Sequence, residues 1–276
     1  MFPAVPNLGR VARFEFFRKD PDRVFGVWVV RQDSLRFALP VTTGPKPGAS
    51  DYLPAPFGLA GFAAPVEQSY PSLAPYIELS DGRVAVTTDG ADSVQPAADG
   101  QSLRIRWDKW AIVGGPPGQR VDVGLTSLVT WRIENQTLIR EEVLTASRPT
   151  TIRRWRFAVP TTHRSVSTEL RKGIRTDRFF SAKGALEIQM LEESFPVTRS
   201  IMATGDTALG RGVHGAIPLH AVFEAENLLV SERSLKYRLT LKPVEYRTGA
   251  KRPISTDRIA QPRLDAVASL PFCIEF

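Results

Sequence analysis

The chain has 276 residues, 42% hydrophobic and 24% charged, which is ordinary globular material with apolar residues for a real core. Nothing in it approaches the roughly 20 consecutive apolar residues of a membrane helix. Its one cysteine, Cys273, excludes an intrachain disulfide framework and any multi-cysteine metal site. The formal charge is +7 and the pI about 9.8, so anionic partners are tolerated.

Met1 to Asn7 hold neither a basic nor an apolar block, so no secretory signal is read and a cytoplasmic location is expected unless an N-terminal part is missing. Two strands follow at once, Val11–Phe17 and Arg23–Val30, joined by the polar segment Arg18–Asp22. So abrupt an entry leaves open that the chain is a fragment or a separately encoded half of something longer. The second strand is almost continuously apolar, β-branched and aromatic, as a strand covered on both faces should be. Leu35–Leu39 is a third. Residues 40–75 then carry eight prolines and four glycines among scattered aromatic and aliphatic side chains. A flexible linker would have few such aromatics, so this is a structured loop, either functional or one that caps the end of a sandwich.

Tyr76–Leu79 and Val84–Thr87 bracket Asp81-Gly82, a strong hairpin signal. Asp89–Gln101 reads as a polar loop. Leu103, Ile105 and Trp107 alternate with Arg104, Arg106 and Asp108, and Trp110–Val113 runs into the turn Gly114-Gly-Pro-Pro-Gly118. The clearest strand sets Leu125, Ser127, Val129, Trp131 and Ile133 on one face and Thr126, Leu128, Thr130, Arg132 and Glu134 on the other. Glu134–Gln136 is a hairpin turn, which also accounts for the formal glycosylation sequon at Asn135. In the next run Trp155, Phe157 and Val159 face one way, Arg154 and Arg156 the other. Thr161–Gly184 is polar and basic without a pattern, and Ala203–Gly215 is a loop. Leu186–Met190, Ala216–Ala225 and Lys236–Leu241 are strands, and a short apolar strand ends the chain after the polar segment Val244–Ala268. The fold expected is all-β: one large antiparallel β-sandwich over residues 1–276.

The chemical signals are sparse. Gly210-Arg-Gly-Val-His-Gly215 has dinucleotide-fingerprint spacing, but Pro218 follows and no helix opens, so what remains is a Gly-rich loop carrying Arg211 and His214. His163, His214 and His220 stand at no metal-ligand spacing, and no metal or cofactor is expected. Glu141-Glu142 and Glu192-Glu193 are adjacent pairs whose members point to opposite strand faces, so neither pair supplies both carboxylates of a glycosidase, and solvated faces are the plain reading. From Arg148 to Lys183 there are ten basic and two acidic residues. Arg153, Arg154 and Arg156 could cradle carboxylates or sulfates. Trp110, with Trp107 behind it, could stack on a sugar ring, although packing at an edge strand is the equal alternative. Nucleic acid is not expected, because the basic stretch lacks interleaved aromatics and no nucleic-acid module is present.

The runs Trp107-Asp-Lys-Trp110, Gly118-Gln-Arg-Val-Asp-Val-Gly-Leu-Thr-Ser127, Leu138-Ile-Arg-Glu-Glu-Val-Leu-Thr-Ala146 and Val159-Pro160 resemble the large β-sandwich half of bacterial proteins related to heparinase II/III-like polysaccharide lyases. The resemblance covers the central third of the chain. It implies a supersandwich akin to the galactose-mutarotase fold, which in that family stands behind a helical toroid supplying much of the Tyr/His chemistry. No toroid pattern occurs here, so the resemblance implies a sandwich that binds, or helps to process, an anionic uronate-containing polysaccharide beside a helical partner. Candidate contacts are Trp107, Trp110, Arg153, Arg154, Arg156, Arg211 and His214. The alternatives are an interaction module without a ligand of its own, and a stand-alone mutarotase-type enzyme using His as acid and Glu as base.

Overall fold

The computed structural model describes residues 10–20, 23–44, 55–63, 73–87, 90–116, 119–203, 211–212, 215–216, 218–231 and 233–246. Every regular element among them is a strand, and all pairings between strands are antiparallel. The expected all-β sandwich is what forms.

Three N-terminal strands, β1 (Val11–Asp20), β2 (Arg23–Gln32) and β3 (Leu35–Thr42), make a small sheet in sequence order. The remainder builds two large layers. Seven strands come first in the chain: β4 (Tyr76–Leu79), β5 (Val84–Val86), β6 (Ser93–Pro96), β7 (Ser102–Trp107), β8 (Trp110–Ile112), β9 (Arg120–Val121) and β10 (Leu125–Glu134). Next are β11 (Thr137–Ala146), β12 (Thr150–Thr161), β13 (Ser165–Arg171), β14 (Ile174–Phe180) and β15 (Gly184–Leu191). The last are β16 (Thr198–Ala203), the two-residue pair β17 (Arg211–Gly212) and β18 (Gly215–Ala216), β19 (Leu219–Val230) and β20 (Leu235–Glu245). One layer has the order β13-β14-β15-β20-β11-β10-β7-β6, the other β16-β19-β12-β4-β5-β8-β9.

Alternation in the sequence decides which face meets the other layer. Trp131, Tyr237 and Leu239 from the first layer face Trp155, Phe157 and Phe223 from the second, all at most 2% exposed. Trp155 and Phe157 each meet the Tyr237 ring at 5.1 and 5.5 Å. Burying each such ring contributes on the order of 2–3 kcal/mol. In β12, Ile152 and Arg154 have the same parity yet opposite fates, one buried and one half-exposed. Against β4 the register of β12 shifts between Ile152 and Arg154, and opposite on β19 Asn227 has a left-handed φ of 54°; the facing of both strands changes at this point.

The small sheet docks through Trp28, which donates to the Gly100 carbonyl at 2.7 Å. A Cβ on Gly100, at φ +68°, would stand 2.0 Å from the Ala12 carbonyl oxygen, so only glycine lets β1 approach there. In the Pro-rich segment, Ala55, Leu59, Phe62, Leu73 and Ala74 are buried, and Ala63 and Leu73 donate to the backbone of β12 at Pro160 and Ala158.

Three expectations are corrected. The polar loop Asp89–Gln101 contains β6, held by a four-residue ladder on β7 despite a single apolar residue, Val94. Thr161–Gly184 is the regular hairpin β13–β14. Much of it is exposed on both faces, which erases the alternation a half-buried strand would show. Residues 198–203, for which no element was expected, form the edge strand β16. The expected C-terminal strand with Cys273 lies outside the described residues.

Candidate functional site

The best-built polar constellation lies in the middle of the sandwich. Arg140 and Glu142 point inward from β11, Tyr237 from β20 and Ser127 from β10; they are 2%, 0%, 2% and 0% exposed. Arg140 donates to Glu142 Oε2 at 2.8 Å and to the Tyr237 hydroxyl at 2.7 Å. Tyr237 in turn donates to Glu142 Oε2, and Ser127 Oγ donates to Oε1 at 2.5 Å. The guanidinium also lies over three rings, Phe157 at 5.1 Å, Tyr237 at 5.5 Å and Trp131 at 5.8 Å. Burial pushes the Tyr237 phenol well above its ordinary range. Burial alone would lower the Arg140 pKa, but Glu142 and Tyr237 hold it above the usual guanidinium value. The group is thus a buried ion pair whose carboxylate oxygens are all hydrogen-bonded, walled from solvent by aromatic rings, while the Arg140 Nε–H finds no acceptor among the described residues. A plain reading of Glu141-Glu142 as a solvated face holds for Glu141 only, which meets Arg132 at 2.9 Å and Arg238 at 2.5 Å on the outer face.

The expected sugar plate is not available. Trp107 is 3% exposed, and Trp110 is 0% exposed with its indole N–H donating to the Leu125 carbonyl at 2.8 Å. Although the sequence around it is charged, Trp110 opens β8 on the inward parity, and both rings are core.

The three arginines of β12 do share the outer face of their layer, but each meets a carboxylate: Arg153 with Glu78 at 3.2 Å, Arg154 with Glu226 at 3.4 Å, Arg156 with Glu224 at 2.8 Å. Cross-strand pairing sets Arg154 against Glu226 and Arg156 against Glu224, which a linear charge count cannot see. Arg175 and Arg178 are likewise paired, with Asp177 and Glu187. The exposed cations of this stretch that form no ion pair among the described residues are Arg148, Arg164, Arg171, Lys172 and Lys183. Four of these lie on or beside the β13–β14 hairpin.

Arg164 and Lys183 flank the hairpin's base, where Ser165 pairs with Phe180 and Phe180 with Ala185. Leu219, at the same end of the sandwich, pairs with both Ala203 and Thr161. Arg211 lies in the β17–β18 pair; its side chain, and His214, lie outside the described residues. His163 is half-buried over Gly61, where a Cβ would stand 2.7 Å from its Nε2. Burial holds the His163 pKa below its ordinary value near 6.5. Between that lowered value and about 6.5 the unfolded chain therefore binds more protons, and stability rises with pH across the window. This stabilisation is complete above the ordinary value and lost as pH falls through the folded one. Thermal melting from about pH 5 to 7 should show this limb, and His163→Gln should flatten it.

Among the described residues, no group of three or more His, Cys, Asp or Glu could hold a metal ion, and no helix is long and apolar enough to cross a membrane.

Two stacked antiparallel layers closing on one aromatic core define the chain as a large β-sandwich. No protein-family model matches the sequence, and no curated protein matches it. Solved structures do. Heparinase III aligns with a TM-score of 0.50 at 10% identity, over 81% of this chain and 36% of that one. A heparan sulfate lyase from Pedobacter heparinus aligns with a TM-score of 0.40 at 10% identity, over 89% of this chain and 38% of that one. A candidate aldose 1-epimerase from Escherichia coli K12 aligns with a TM-score of 0.40 at 10% identity, over 85% of this chain and the whole of that one. The chain spans little more than a third of the length of the two lyases. At such identity the likeness is one of fold.

Proposed function

We propose that this chain is a carbohydrate-related β-sandwich that holds an anionic, uronate-containing polysaccharide and works beside a second, helical part. The observation that carries this reading is the heparinase III alignment, in which the sandwich is matched and nearly two-thirds of the other chain is not. One apolar cluster running from Trp28 to Leu241 supports treating the chain as a single large domain. The binding surface proposed is the sandwich end with Arg164 and Lys183, with Arg211 and His214 as further candidate contacts. Charge favours it over the β12 face, because a guanidinium already neutralised must leave its carboxylate to bind another. The role is holding rather than cleaving, since the acid–phenol–guanidinium group assembled among the described residues is sealed in the core.

Calorimetric titration with uronate-containing and neutral polysaccharides at low and moderate salt tests the reading. Binding should be confined to acidic glycans and weaken with salt. Arg164→Ala combined with Lys183→Ala should lower affinity about tenfold, while Arg154→Ala and Arg156→Ala should change it little. Equal binding of neutral glycans, or no binding at all, would sink the proposal and favour an interaction module.

A further inference from the structure

Among the described residues the two main layers have four free edges, and three are blunted. β6 is four residues long and ends at Pro96, β9 has two residues, and β16 follows Pro196 and turns Arg199 inward toward the Met190 carbonyl. Short length, proline and inward charge are how sheets avoid pairing with other chains. The fourth edge, β13, has none of these, although it carries the charged Glu169 and Arg171 toward its tip. It runs seven residues in an unbroken ladder with β14, lacks proline and bulge, and is uncharged from Ser165 to Thr168. Leu170 is 73% exposed on it. Lys172 and Gly173 at the hairpin tip both have positive φ, 51° and 79°, the tight turn that holds such a ribbon in register.

We propose that β13 pairs, antiparallel, with β13 of a second copy of this chain about a two-fold axis at Thr168. An axis normal to the sheet keeps the inner faces of both copies on one side and places Thr168 opposite itself. Val166 of each copy then meets Leu170 of the other, Ser167 meets Glu169, and Ser165 meets Arg171. Apolar is set against apolar twice, and no like charges lie opposite along the strand. Centring on Glu169 would oppose two glutamates, and centring on Ser167 would pull Leu170 off Val166. Just past the strand ends, Arg164 of each copy faces Lys172 of the other. Those cations oppose the contact, so salt strengthens it. An edge-to-edge ladder is a small interface, which makes the dimer reversible rather than obligate.

Sedimentation of the full chain across protein and salt concentration tests this. The wild type should dimerise reversibly, more tightly at higher salt. Leu170→Lys should raise the dissociation constant at least about tenfold. Lys172→Asp, which converts both end repulsions into attractions, should tighten the dimer and reverse its salt dependence, a gain that misfolding cannot mimic. In a Cys273→Ser background, Thr168→Cys should form a disulfide dimer readily, because directly opposed residues lie about 4.5–5.5 Å apart between Cα atoms. Ser165→Cys, displaced from its copy by the antiparallel register, should not. A monomer at every concentration up to about 1 mM, or cross-linking at Ser165 as efficient as at Thr168, overturns the proposal.

Discussion

Glu142→Ala is expected to destabilise the fold by about 3–5 kcal/mol, because it leaves the Arg140 guanidinium charged and unpaired in the buried core. Arg140 is 2% exposed and, among the described residues, makes its charged contact to Glu142 alone, so truncation removes the counter-charge and leaves the Ser127 and Tyr237 O–H donors without their acceptor. Arg140→Met should cost a similar amount by stranding the carboxylate. The triple replacement Arg140→Met, Glu142→Leu, Tyr237→Phe removes charge, counter-charge and phenol at once and should recover most of the loss, since a buried pair and an apolar filling of similar volume are often near equal. Urea denaturation of the three variants measures this. A Glu142→Ala cost under about 1 kcal/mol would mean that water reaches the group, and would reopen it as a site.

How far this cluster was legible in sequence follows from its geometry. Arg140 and Glu142 are two residues apart on one strand, so their shared face could be read from parity, and Trp131, opposite Arg140 in the ladder, marks that face as apolar. Tyr237 is 95 residues from Glu142, and only the β11–β20 ladder brings it there. Doublets such as Glu141-Glu142 mislead because the average reading of a charged strand is solvated, whereas here the two members divide between outer face and core. The same limit governed the basic stretch. Ten cations in one segment look like a patch until β19, β4 and β15 supply Glu224, Glu226, Glu78 and Glu187 from elsewhere in the chain.

Strands with one wet face were legible because alternation is a consequence of half-burial. β7, β10 and β20 carry it cleanly, and their buried rows are those the period predicts. Where burial is not one-sided the signal fails for a physical reason. β13 and the adjoining part of β14 are wet on both faces, and β6 is too short to show a period. Charged neighbours and the turn that follows it disguise Trp110, but a three-residue strand fixes its inward parity through its ladders to β5 and β9.

Trp155→Ala should destabilise the protein by about 3–5 kcal/mol, the range for truncating a large buried aromatic. Its ring is 0% exposed and stacks on Phe157 at 5.9 Å and 6°. Edges of Phe195 and Tyr237 meet it at 5.3 and 5.1 Å, so the void would open beside the Arg140–Glu142 pair and loosen both layers together. Trp155→Phe should behave differently. The indole N–H is buried and finds no acceptor among the described residues, so phenylalanine removes an orphan donor while retaining a ring. The expected cost is below about 1.5 kcal/mol, as for other substitutions that keep most of the packed volume. Urea unfolding of both variants, followed by near-ultraviolet circular dichroism, separates the two effects. A phenylalanine variant as damaged as the alanine one would show that the indole makes a hydrogen bond on which the aromatic core depends.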